Sequence, residues 1–93
     1  MIGDIRFSGQ ITVTAAGTEV RGPDVKCPGG VIVRAFASNT GKMYVGNNGD
    51  GTVSSSTGYE LNASENIYIP IANLNDLLVD SSVNGEKVCW ILV

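Results

Sequence analysis

The chain has 93 residues, 43% of them hydrophobic and only 16% charged, with a formal net charge of −3 and no histidine. That length accommodates one small domain, residues 1–93, able to bury roughly 60–65% of its unfolded surface. The six Lys and Arg residues are scattered singly, so nothing resembles a footprint for phosphate backbones or anionic membrane surfaces.

No apolar run approaches the roughly 20 residues of a membrane-spanning helix. The opening stretch "MIGDIRFSGQ" carries Asp4 and lacks an apolar core segment, so a secretory signal is not expected. A cytosolic protein, or one that leaves the cell inside a larger particle, is the expectation. Without histidine, neither a Ser-His-Asp nor a Cys-His site can be assembled, and the usual nitrogen ligand of zinc is missing.

Along the chain, alternation with period two recurs and helical periodicity is nearly absent. "IRFSGQITVTAAG" reads as two short extended pieces around Gly9, with Ile11 and Val13 on one face. "TEVRG" is a short strand, and "PDVKCPGG" is an irregular connection marked by two prolines and a double glycine. "VIVRAFAS" places Val31, Val33, Ala35 and Ala37 on one side, with Ile32, Arg34 and Phe36 on the other. Arg34 implies that this second face is wet or finds a carboxylate. "KMYVG", "ENIYIPI", "DLLVD" and "EKVCWILV" are further strands. Pro70 puts its strand at an edge or a bulge. "ANLNDLL" has room for one helical turn, and Asn84-Gly85 signals a hairpin between the last two strands. Short strands separated by turn signals argue for an all-β domain, a β-sandwich or β-barrel of mainly antiparallel strands.

The candidate sites each have a plain structural alternative. The loop "NNGDG" holds a single carboxylate, Asp50, where a calcium loop needs several, and its residue types are those of tight turns. Ser54, Ser55, Ser56 and Thr57 have no base nearby and read as a solvated turn. Asp76 and Asp80 read as exposed strand-end aspartates. Cys27 and Cys89 match no ligand spacing; two free thiols suit a reducing cytosol, with a disulfide as the open alternative. Neither a metal nor another cofactor is expected. Trp90, Tyr44, Tyr59 and Tyr68 invite a sugar-binding reading, and Tyr44, Tyr68 and Trp90 are the candidates for stacking on a sugar or for packing at an interface, with Arg34 as a further candidate. Trp90 lies in the nearly continuous apolar run "VCWILV", which favours the core or a subunit interface.

Residues 25–93 carry a pattern that resembles small virion structural proteins of tailed bacteriophages. A segment ending in Tyr44, Val45 and Gly46 leads through a Ser/Thr-rich turn to Gly58, Tyr59 and Leu61. An acidic turn at Glu65 follows, then Asn73 and Leu74 running to Val79 and Asp80. A turn at Gly85 and a closing strand with Val88, Trp90 and Val93 complete it. Glu60 stands where a proline is more usual, and "NNGDG" is longer than the pattern. The resemblance implies a non-enzymatic capsid decoration (cement) or head-associated protein, located in the virion and assembled in the host cytoplasm. Its implied partners are the major capsid protein or other virion proteins. Self-association is expected because a domain this small is marginal alone, and the resemblance favours a homotrimer. The alternative is a carbohydrate-binding module on a host-recognition appendage. The pattern does not reach residues 1–22, where Ile5, Phe7, Ile11 and Val13 line one side. A strand within this domain or on a neighbouring subunit is expected there, over a free arm reaching for the capsid.

Overall fold

The computed structural model describes residues 7–47 and 52–93. Eight strands among them form two four-stranded sheets: β1 (Ser8–Val13), β2 (Val20–Arg21), β3 (Val31–Ala35), β4 (Met43–Asn47), β5 (Tyr59–Leu61), β6 (Asn66–Ile69), β7 (Leu77–Ser81) and β8 (Glu86–Leu92). The first sheet runs β1-β8-β3-β6 and the second β2-β7-β4-β5, with every pairing antiparallel. The sheets share no strand, so the fold is a sandwich and not a closed barrel.

Alternation decides what lies between the sheets. In β3, Val31, Val33 and Ala35 are buried while Ile32 and Arg34 point outward. Ile11 and Val13 from β1, Val88 and Trp90 from β8, Met43 and Val45 from β4, and Leu77 and Val79 from β7 meet them in one core. Trp90 is its largest side chain and accounts for the behaviour of Gly9. A Cβ at Gly9 would stand 2.8 Å from the indole Cζ2, so only glycine lets β1 close over the ring. The strand therefore continues through Gly9, as one piece where the sequence reading has two.

β1 pairs along its length with β8 of its own domain, joining the two ends of the described chain. Its interior side chains, Ile11 and Val13, are core residues, so this segment is part of the sandwich. Residues 1–6, including Ile5, lie outside the described residues.

Asn84-Gly85 is a tight turn, with φ of +79° at Gly85, but it does not make a hairpin. β7 and β8 belong to different sheets. Each is an inner strand: β7 lies between β2 and β4, and β8 between β1 and β3. With both hydrogen-bonding edges of each strand taken, the turn serves as a corner between layers. The Gly85 amide donates to the Val13 carbonyl at 2.8 Å, and the Asn84 side chain accepts from the Ala16 amide at 2.8 Å. Pro70 follows the end of β6, an edge strand, where its missing N–H costs no ladder bond. The helical turn expected in "ANLNDLL" forms at Leu74–Asp76, capped by the Asn73 side chain.

Candidate functional site

The two outer faces of the sandwich differ. On the second sheet, β7 is buried at all five positions, which an open sheet face does not allow. Its outward-facing Leu78 packs with Tyr44 and with Val53, which comes from the loop between β4 and β5. The Val53 amide donates to a Glu19 carboxylate oxygen at 2.8 Å, tying this loop to the β1–β2 connection. The Ser/Thr turn is bonded internally: the Thr57 hydroxyl donates to the Thr52 carbonyl at 2.6 Å and accepts from the Ser54 amide at 3.0 Å. The described part of the loop is thus a cover. Asp50 lies outside the described residues.

Asp80 departs from the sequence expectation. It is only 2% exposed and accepts from the Gly17 amide at 2.9 Å and the Ser81 amide at 2.8 Å. A carboxylate is tolerated there because backbone donors, one of them from the β1–β2 connection, meet it. Asp80 pins the β1–β2 connection to the second sheet.

The first sheet has no such cover among the described residues. Register sets two outward rows across its four strands. One reads Ser8, Ile91, Ile32, Tyr68; the next reads Gln10, Cys89, Arg34, Asn66. The apolar row is exposed, with Phe7 and Val93 also exposed beside it. Between the rows lies a shallow depression of about 510 Å³, bordered by Ile32, Arg34, Asn66, Cys89 and Ile91.

Tyr68, 51% exposed, is held in place. Its hydroxyl donates to the Gly29 carbonyl at 2.8 Å, and its ring lies against Gly30, where a Cβ would come within 2.6 Å of the Tyr68 oxygen. Gly30 also has φ of +86°, so glycine is required twice over. Arg34 sits near the middle of the face, its Nε donating to the Ser64 carbonyl at 3.4 Å. Lys87, at the rim, lies 4.8 Å above the Phe36 ring.

The four candidate residues therefore separate. Arg34 and Tyr68 share the open face. Tyr44, 7% exposed, is enclosed under the loop of the opposite sheet, and Trp90, 2% exposed, is inside the core. Tyr44 and Tyr68 are not cross-strand neighbours: Tyr44 stands opposite Asp80 and Glu60, and Tyr68 opposite Ile32. Both cysteines are free. Cys27 is a core residue whose thiol donates to the Ile71 carbonyl, and burial, with the nearby Asp76 charge, pushes its pKa up. Cys89 faces outward on the other side of the first sheet. Among the described residues, no three His, Cys, Asp or Glu side chains come together as a metal site would require.

Ile32, Cys89, Ile91, Gln10 and Asn66 complete a surface that sequence reasoning names only at Arg34 and Tyr68. Their signal was the off-core phase of "VIVRA" and "VCWIL". Joining them into rows needed the register, which short strands do not announce. No protein-family model, curated protein or solved structure matches the chain.

Proposed function

We propose that this chain is a non-enzymatic virion structural protein of a tailed phage, a capsid decoration or head-associated protein that docks on the shell through the open face of its first sheet. The observation that carries the reading is the asymmetry of the sandwich. One outer face is covered over its inner strands by the chain's own loop, while the other presents a contiguous apolar row with a fixed tyrosine and a central arginine. Such a patch, rimmed by polar groups, is what a partner surface covers. The pattern in residues 25–93 supplies the virion context.

Self-association, with a trimer favoured, belongs to the same proposal. It would use the strand edges of the first sheet: β1 and β6 end that sheet and carry backbone groups able to pair with a neighbour. Light scattering on the purified chain tests this part, and a monodisperse monomer at high micromolar concentration counts against it. Mass spectrometry of purified virions tests the whole. The chain is expected in the particle, and its restriction to infected-cell lysate would overturn the assignment.

A second reading keeps one specific observation in its favour. Tyr68 offers a fixed, half-exposed ring next to Ile32 and in the row beside Arg34 and Asn66, as a sugar-stacking site would. With Tyr44 and Trp90 enclosed, that ring stands without the other two candidates. Binding on a glycan array at millimolar glycan that is lost in Tyr68→Ala would favour this reading over the structural one.

A further inference from the structure

The open face carries a charge pattern unlike the rest of the molecule. The chain is acidic, with nine Asp and Glu against six Lys and Arg. Yet the charged side chains that the register places in the outward rows of this face are the cations Arg34 and Lys87; among the described residues no Asp or Glu falls in those rows, and Glu65, just before β6, turns a carboxylate oxygen to the Asn62 amide. Lys87 is engaged at the rim with Phe36, so Arg34 is the cation at the centre. A guanidinium has five donors in a fixed fork, and the contact to Ser64, at 3.4 Å, uses Nε alone.

We infer that this face binds a carboxylate-bearing, apolar-flanked patch of the capsid shell protein, with an Asp or Glu of the shell seated against Arg34 in the depression between β1, β8 and β3. The inference rests on the docking reading above and names the chemistry of its partner. A second copy is a poor occupant. Pairing two such faces would bring Arg34 and Lys87 of one copy against those of the other, desolvating like charges with no acid to meet them. A free small anion is a poor one too, because the floor is apolar and the only central cation is Arg34. A protein patch satisfies both parts: apolar side chains cover Ile32, Ile91 and Tyr68, and the carboxylate takes a bidentate bond from Arg34.

Cys89 supplies a reporter. Its thiol borders the depression, whereas Cys27 is fully buried, so a thiol reagent applied to the native protein reads the open face. The experiment combines co-sedimentation with empty shells of the encoding phage and alkylation of Cys89 in the bound and free protein. Wild type is expected to sediment with Cys89 protected. Arg34→Glu is expected to weaken binding by about tenfold or more. Lys42→Glu, the same charge change on the opposite sheet beside Glu60, should bind like wild type, and thermal transitions of both variants check the fold.

Each other outcome overturns a distinct part. Sedimentation with Cys89 as reactive as in the free protein leaves a capsid-associated role standing but rejects this face, both for the docking proposed above and for its carboxylate partner. Protection of Cys89 with undiminished binding of a folded Arg34→Glu rejects the carboxylate partner. Protection in concentrated protein without shells, together with a dimer in sedimentation velocity, assigns the face to self-association and rejects the inference. Failure of wild-type protein to sediment with shells overturns the docking reading, and this inference falls with it.

Discussion

Glu86 shows how single side chains hold this small sandwich together. It opens β8, and its buried carboxylate accepts from the Thr40 amide and hydroxyl and from the Gly41 amide. Burial pushes its pKa up, but the three donated hydrogen bonds outweigh burial, and the net shift is downward. A carboxylate with a depressed folded-state pKa contributes stability that is complete above its unfolded value, about 4.3. That contribution is lost as pH falls through the folded value. Glu86→Gln is therefore expected to cost about 1–3 kcal/mol at neutral pH. It should also flatten the loss of stability below pH ~4.3, as read by urea unfolding across an acid series. An unchanged acid limb would place the pH sensitivity elsewhere. Such anchoring was not legible in the sequence. "GEKV" shows an acid at a strand start, and nothing in it says that the Thr40–Gly41 turn folds onto that acid.

At the scale of elements, periodicity was readable and partnership was not. "VIVRA" alternates cleanly, and β3 is where and what that alternation predicts. "DLLVD" sits where the sequence places a strand, but its outward face is covered, at Leu78 by Tyr44 and a distant valine and at Asp80 by the β1–β2 connection. The Ser/Thr-rich turn holding that valine reads as solvated because its residue types are polar; only Val53 betrays a contact. Similarly, Asn84-Gly85 announces a turn without saying whether its strands pair. The loop's role as a cover makes a direct prediction. Val53→Ala should destabilise the domain by about 2 kcal/mol through lost burial and a partial cavity over Leu78. Amides of β7 should exchange faster while those of β8 change little. Equal loss of protection in both strands would show that the cover is not a local element.

The whole molecule is organised by distant pairings. Among the described strands, only β4 and β5 are both consecutive in sequence and paired, while β1 and β8 join the two ends of the described chain. Non-local topology of this kind predicts refolding in the millisecond-to-second range. It also makes β1 indispensable, since its removal would uncover Trp90 and delete Ile11 and Val13 from the core. Deletion of residues 1–14 is expected to abolish the cooperative thermal transition; a retained transition would mean that β1 is an arm and not part of the domain. The completed sandwich leaves one outer face covered over its inner strands and one bare, and the proposed docking sets the bare face against a virus shell. Cryo-electron microscopy of decorated shells tests this most directly. Density in which β8 and β3 turn Ile91, Ile32 and Arg34 toward the shell is the predicted result. An orientation with the Val53 loop against the shell and the first sheet facing solvent would contradict it.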